Sequence, residues 1–170
     1  SDDGTVAPRV EVQPVERNAR PALTELLQIG YWADVKGRFG WNAAFFLVSV
    51  GGRPGEHTLL LTRRVGPGLM LGYVPFGPAA RPAEATEHPA PERAAAPESA
   101  QAEAAQLLRE VAFGMRSYLA RPPVCIRFDL PWPRGTLTAT SGIRKAPVDV
   151  QPPDTTIVDL TLTEDEMLSQ

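Results

Sequence analysis

Three apolar runs separated by short turns, all between residues 41 and 74, constrain the fold more than any other feature of this chain. The first run, residues 41–50, is apolar at nearly every position, which is typical of a strand buried on both faces. A loop rich in glycine follows, and residues 57–65 and 69–74 then flank the turn Gly66–Gly68. Strands joined by such short turns pair antiparallel, so the pattern predicts a three-stranded meander.

Helical patterns precede the meander. Pro21 suits the first turn of a short helix, and a second short helix is predicted at about residues 31–39. Apolar side chains at four-residue spacing give the expected buried stripe of the second helix, namely Tyr31, Val35 and Phe39. Trp32 and Lys36 have the same spacing and therefore lie together on an adjacent stripe.

Further elements are predicted on either side of these. Val10, Val12 and Val15 indicate a short edge strand, and residues 124–128 a later strand. Residues 79–100, which are rich in alanine, proline and glutamate, are predicted to form a mobile loop that ends where a helix begins at Ser99. That helix is expected to run to about Leu119, because its apolar positions keep a period of 3.6: Ala104, Leu107, Leu108, Val111, Met115 and Tyr118.

The last residues of the sequence predict the start of another unit. Residues 155–160 have the pattern of a strand, and Thr163 and Glu166 match a capping box at the start of a helix. The sequence stops at Gln170, about two turns later. A docked terminal helix is the alternative interpretation, because an isolated short helix is marginal in water.

Composition and charge exclude several classes of protein. The 170 residues suffice for one domain with a core, and the net charge of −3 predicts no global attraction to nucleic acid or to anionic membranes. The single cysteine, Cys125, cannot form an internal disulfide, which permits a reducing cytoplasm. No apolar run approaches the about 20 residues of a membrane-spanning helix, so no transmembrane segment is expected. His57 and His88 are isolated, and no metal site is expected.

Three motifs together resemble those of the Fem family, the non-ribosomal peptidyltransferases of peptidoglycan synthesis. The first is the Trp32-x-x-x-Lys36 helix with Trp41 at the entrance to a strand, and the second is the strand exit Gly72–Pro78, which reads Gly-Tyr-Val-Pro-Phe-Gly-Pro. The third is residues 151–166, with Gln-Pro-x-x-Thr-x-x-x-Asp-Leu followed by an acidic helix start. The resemblance covers about residues 25–170.

The resemblance implies a fold and a domain organisation. The fold would be α/β, with an acyltransferase (GNAT)-like mixed, mostly antiparallel sheet and flanking helices. Residues 1–148 would form a first GNAT-like unit, interrupted by the insertion at 79–100, and residues 149–170 would begin a second, truncated unit. The chain would then be the N-terminal half of a two-unit transferase, and we expect this half alone to be inactive.

The resemblance also implies an activity and its residues. The protein would transfer an amino acid from aminoacyl-tRNA to the stem peptide of a muramyl precursor, linked to a nucleotide or a lipid. It would need no cofactor, and would act in the cytoplasm or at the inner face of the membrane. The second half would contact the tRNA. The implied substrate-binding residues are Lys36, near the precursor phosphates, with Trp32, Tyr73, Phe76, Arg144 and Lys145. Asp129 would orient or deprotonate the acceptor amine.

Two other functions remain open from the sequence. Residues 63–68 match the pyrophosphate loop of an acyl-CoA N-acyltransferase, but that loop must lead into a helix, whereas here it joins two predicted strands. Pro67 also removes one backbone donor from the loop. The other alternative is a non-catalytic binding module that recruits a partner through the loop at 79–100. Binding of CoA would favour the first alternative, and loss of partner binding on deletion of the loop would favour the second.

Overall fold

The computed structural model describes residues 9–19, 26–80, 97–133, 135–137, 140 and 142–148. Five strands and two α-helices occur in these ranges. In chain order they are β1 (Val10–Val15), α1 (Gly30–Gly37), β2 (Asn42–Val50), β3 (Glu56–Gly66), β4 (Leu69–Val74), α2 (Glu98–Ser117) and β5 (Cys125–Phe128). A single 3-10 turn, Leu26–Gln28, precedes α1.

The strands form one mixed sheet in the order β1-β2-β3-β4-β5. The first four strands pair antiparallel, which confirms the predicted meander, and β5 pairs parallel to β4. A parallel neighbour requires a crossover connection, and α2 lies within it. The coarse fold prediction is therefore confirmed: the chain has a mixed α/β architecture with a mostly antiparallel sheet and flanking helices.

Each face of the sheet buries its own apolar cluster. Successive side chains of a strand point to opposite faces, so Phe45 and Phe46 of β2 belong to different clusters, as expected for a strand buried on both sides. The cluster on the α2 face includes Phe46 with Leu107, Val111 and Met115 of the helix. The cluster on the α1 face consists of Ala33, Phe45, Leu59, Leu61 and Tyr73, with Val15, Trp32 and Trp41 packed against it.

The predicted buried stripe of α1 is wrong. Tyr31 and Phe39 are 65% and 66% exposed, whereas Ala33 is buried. The neighbouring stripe, which carries Trp32, faces the sheet instead. Two stripes of an eight-residue helix differ by only one residue of rotation, and here the packing of the large indole against the sheet decides between them.

The prediction for α2 is correct except at its ends. The helix begins one residue earlier than predicted, at Glu98, and the acidic side chain in this first turn complements the helix dipole. The helix ends at Ser117, so Tyr118 lies beyond it and is 53% exposed, contrary to the prediction. The other five predicted apolar positions are buried: Ala104, Leu107, Leu108, Val111 and Met115.

Strand β1 is at one edge of the described sheet, as predicted. The carbonyl of Arg9 accepts a hydrogen bond from the N–H of Gly51, so the backbone N–H and C=O groups of odd-numbered residues in β1 point toward β2. The backbone groups of even-numbered residues point away from the sheet. Pro14 therefore has its missing N–H on the outer side, where proline is tolerated in a sheet.

Several predictions fall outside the described residues: the helix start at Pro21, residues 81–96 of the loop, and the start of a second unit at 149–170. Among the helices that the structure describes, none is long and apolar enough to span a membrane. The described residues also contain no group of three histidine, cysteine, aspartate or glutamate side chains that could hold a metal ion.

Candidate functional site

A carboxylate with two hydrogen-bond donors lies where β4 and β5 end. The Tyr73 hydroxyl donates to Oδ2 of Asp129 at 2.8 Å, and Nε of Arg127 donates to Oδ1 of the same carboxylate at 2.9 Å. The side chains of Arg127 and Asp129 are 24% and 13% exposed, so this ion pair is screened less than a surface pair. We refer to these three residues as the Asp129 cluster.

Strand geometry places the Asp129 cluster on the α1 face. Tyr73 and Arg127 are direct partners in the parallel β4–β5 pair, so their side chains share a face. Asp129 follows Arg127 by two residues, which returns its side chain to that face. Its backbone continues the ladder, because its N–H donates to the carbonyl of Val74 and its carbonyl accepts from Gly77. Both backbone bonds fix the carboxylate relative to the end of β4.

An aromatic and a second cation adjoin the cluster. The rings of Trp41 and Tyr73 are 6.1 Å apart and tilted by 55°, a favourable aromatic arrangement. The guanidinium of Arg63 lies 6.0 Å from the centre of the Trp41 ring. Arg63 is exposed and lies on β3, so its charge faces solvent beside the aromatic pair.

Trp32 and Lys36 form the α1 side of the site. Nζ of Lys36 lies 4.8 Å from the centre of the Trp32 ring, which confirms the predicted shared stripe and is a cation–π contact. Trp32 and Trp41 pack against the apolar cluster that contains Tyr73. The indole Nε1 of Trp32 is buried and has no hydrogen-bond partner in the described part of the chain.

The turn after β4 forms the rim of this region. Phe76 has a φ of 48°, which is unusual for a residue with a side chain, and is 40% exposed. The peptide bond between Gly77 and Pro78 is cis. The Trp132 indole donates to the carbonyl of Pro78 at 2.9 Å, which ties the turn to the segment after β5.

Gln28, which was not among the residues predicted from the sequence, inserts its side chain between two strands. Its Oε1 accepts a hydrogen bond from the Leu59 N–H of β3, and its Nε2 donates to the carbonyl of Pro75 after β4. The residue is 3% exposed. Because β3 and β4 cease to pair beyond Leu61 and Tyr73, the amide replaces the ladder bonds lost there.

Arg144 and Lys145 are exposed, and no hydrogen bond or ion pair among the described residues joins them to the Asp129 cluster. Their segment nevertheless returns to it, because Nη1 of Arg127 donates to the carbonyl of Val148 at 2.7 Å. Lys145 precedes Val148 by three residues, so its Cα lies within about 11 Å of that of Val148.

One carboxyl on α1 has a shifted pKa. Arg17 donates a hydrogen bond to Asp34, and this bond, with a smaller contribution from the charges of Arg17 and Arg38, lowers the pKa of Asp34. The same interaction raises the pKa of Arg17. Asp34 is thereby paired with a cation, while Lys36, two residues on, contacts an aromatic ring.

The geometry of residues 63–68 disfavours CoA chemistry. They form the end of β3, its turn and the approach to β4, with Gly68 at a φ of 71°. No helix begins there, so neither its free N–H groups nor its dipole can meet a pyrophosphate at this turn.

Comparisons with protein-family models, with curated proteins and with solved structures gave no match to this chain.

Proposed function

We propose that this domain is the precursor-binding unit of an aminoacyl-tRNA-dependent aminoacyltransferase with a GNAT-like fold. Its substrate would be a nucleotide- or lipid-linked muramyl peptide, met in the cytoplasm or at the inner face of the membrane. One observation carries the proposal: on the α1 face, two cation–aromatic pairs lie at the apolar cluster that contains Tyr73, and Tyr73 and Arg127 anchor the carboxylate of Asp129. Such a surface suits a ligand that has both anionic and amino groups.

The cations suit the phosphates of the precursor. Lys36 and Arg63 lie against the Trp32 and Trp41 rings, and among the described residues no carboxylate forms an ion pair with either cation. An ammonium is a mobile point charge, and a guanidinium presents a planar set of donors; both bind phosphate oxygens. Lys36 is the residue that the family resemblance places near the diphosphate, and Arg63 extends that role to a second position.

Asp129 suits the acceptor amine of the stem peptide. An ionised carboxylate offers about four lone-pair positions, and Tyr73 and Arg127 use two of them. The remaining positions can accept hydrogen bonds from an ammonium group. The two fixed donors hold the carboxylate in one orientation, which positions the amine for reaction.

The reaction itself needs little further chemistry from this face. The acceptor ammonium first loses one proton to Asp129 or to solvent. The neutral amine then attacks the ester carbonyl of the aminoacyl-tRNA, an amide bond forms, and the ester C–O bond breaks. The second N–H proton, released as the amide forms, goes to the departing tRNA oxygen, which becomes the hydroxyl. In the proposal, contacts to the tRNA belong to a second unit, so the isolated 170-residue chain binds precursor but shows no turnover. Aminoacyl transfer by this chain alone would contradict that division of roles.

Calorimetric titration of a muramyl-pentapeptide nucleotide into the chain tests the binding role. We expect Lys36→Ala to weaken binding about tenfold, equivalent to about 1.4 kcal/mol. Arg38→Ala is the matched control, because Arg38 is an exposed cation at the same helix end and should matter little. If the two substitutions weaken nucleotide binding equally, Lys36 has no specific role in binding the precursor.

The amine contact has its own test. Acetylation of the acceptor amine should weaken binding to the wild-type chain, because the charged partner of Asp129 is lost. In Asp129→Asn the same acetylation should make little difference. If both proteins lose affinity equally on acetylation, Asp129 does not receive the amine.

A further inference from the structure

The end of the sheet opposite Asp129 exposes three aliphatic side chains. Val65 and Leu69 flank the β3–β4 turn and are 58% and 47% exposed. Val124, also 58% exposed, lies beside them, because its N–H donates to the carbonyl of Met70 at 2.9 Å. These side chains come from two separate segments that lie at the same end of the sheet, and their exposed surface is not part of either core cluster.

The same end has positive charge without acidic neighbours in its own segments. Residues 57–80 and 111–128, which include the hairpin and the approach to β5, contain no aspartate or glutamate. Arg64 lies at the hairpin, where its Nε donates to the carbonyl of Gly66 at 3.2 Å, and its side chain is exposed. Arg121 is exposed and precedes Val124 by three residues, so their Cα atoms are within about 11 Å.

We propose that this rim, formed by Val65, Leu69, Val124, Arg64 and Arg121 and here called the hairpin rim, binds an anionic membrane surface. Aliphatic side chains gain free energy when they leave water for the headgroup–acyl boundary, and arginines beside them pair with anionic headgroups. The net charge of −3 would repel such a surface, so contact requires a local patch of this kind.

Nucleic acid fits the hairpin rim less well. Single-stranded nucleic acid is bound by aromatic side chains that stack on bases, and the rim residues include no aromatic ring. Backbone phosphates would pair with Arg64 and Arg121 but would leave the three aliphatic side chains in water. A lipid surface uses both kinds of side chain.

The hairpin rim is separate from the Asp129 cluster. Strand β4 has six residues, and the five intervals between them place its two ends about 17 Å apart. The hairpin rim lies at one end and Asp129 beyond the other. If the proposed function also holds, the rim would bring the chain to a lipid-linked acceptor, but vesicles without any precursor suffice to test it.

The experiment is co-sedimentation of the chain with vesicles of phosphatidylcholine, with or without phosphatidylglycerol. We expect binding to the anionic vesicles that decreases with added salt. The double variant Val65→Asp with Leu69→Asp should bind about tenfold more weakly, and Arg64→Gln with Arg121→Gln should lose the preference for anionic vesicles. Phe113→Asp is the control for an added charge, because Phe113 is 77% exposed on α2 and lies in a groove beside β1.

Equal binding to both kinds of vesicle, or unchanged binding of the aspartate double variant, would overturn the proposal. So would binding of polyuridylate that the glutamine variant loses and the aspartate variant retains, since that result assigns the rim to nucleic acid. Circular dichroism checks that each variant folds. If the aspartate variant does not, Val65→Ser with Leu69→Ser carries the same test, because serine removes the apolar surface without adding charge.

Discussion

At the scale of single residues, Gln28 links the core to the site. Its amide closes the gap between β3 and β4 and fixes the carbonyl of Pro75, one residue before the turn at Phe76. The neighbouring Gly77 leaves room for it, since a Cβ there would lie 2.7 Å from Nε2 of Gln28. A buried amide whose oxygen and nitrogen both form hydrogen bonds is favourable, whereas its removal leaves the former bonding partners buried and unsatisfied.

Gln28→Ala should therefore destabilise the fold by about 2–4 kcal/mol, because the Leu59 N–H and the Pro75 carbonyl would both remain buried without this partner. Urea unfolding measures the change. Gln106→Ala is the control: Gln106 bonds Glu110 on the exposed surface of α2, and its loss should stay within about 0.5 kcal/mol. Similar losses for both variants would show that the Gln28 bonds contribute no more than a surface pair.

The Arg17–Asp34 pair predicts a pH dependence. Because the folded state lowers the pKa of Asp34, the pair contributes stability above the unfolded pKa of about 3.9, and that contribution is lost as pH falls through the lower folded pKa. Both side chains are about half exposed, so the effect is small. In Arg17→Ala, an NMR titration should show the pKa of Asp34 returning upward. Arg53→Ala should leave it in place, and an unchanged pKa in Arg17→Ala would contradict the assignment.

The sequence alone could predict some of these residue roles but not others. Arg127 could have been found, because a strand places residues two apart on one face and Asp129 follows it at that spacing. The role of Gln28 could not, because its partners are 31 and 47 residues away and bond through their backbones, which leave no side-chain pattern. The Trp32–Lys36 pair was predictable from helix spacing alone.

At the scale of elements, apolar periodicity predicted α2 and failed for the buried face of α1. α2 has 20 residues and a long apolar stripe, so its orientation is determined by its own sequence. α1 has eight residues with bulky side chains on two adjacent stripes, and contact with the sheet determines which one is buried. In short elements, tertiary packing and not the sequence of the element therefore determines which face is buried.

Gly114→Ala tests how closely α2 approaches β1. A Cβ at Gly114 would lie 2.7 Å from Cγ2 and 2.8 Å from Cβ of Val12, and the latter atom cannot move without its backbone. The overpacking cost of about 1–3 kcal/mol should outweigh the gain of about 1 kcal/mol from replacing glycine by alanine in a helix. We expect a net loss of about 1 kcal/mol in thermal or urea unfolding.

Two comparisons make this result specific. Gly37→Ala should be neutral or stabilising by up to about 1 kcal/mol, because a Cβ there meets no atom within 4 Å. Adding Val12→Ala to Gly114→Ala should remove most of the overpacking cost, which a double-mutant cycle separates from the loss of the valine itself. If the changes in the free energy of unfolding caused by the two substitutions are strictly additive, Gly114 and Val12 are not in tight steric contact.

At the scale of the whole molecule, the antiparallel meander was predictable because short turns leave adjacent strands little choice of partner. The placement of β5 could not be predicted, since about fifty residues separate it from β4 and its short sequence does not indicate which strand it pairs with. That parallel pairing builds the site, because it brings Arg127 and Asp129 to Tyr73. The candidate residues were thus identifiable individually, while their assembly depends on a long-range contact.

The most direct measurement is a two-dimensional NMR map of amide shifts as a muramyl-pentapeptide nucleotide is added to the isotope-labelled chain. We expect the largest changes on the α1 face, at the Trp32 and Trp41 indoles and at Tyr73, Arg127 and Asp129. Residues lining the groove between β1 and α2, such as Phe113 and Ser117, should not shift. No shifts at millimolar nucleotide, or shifts concentrated in that groove, would contradict a precursor site on the α1 face.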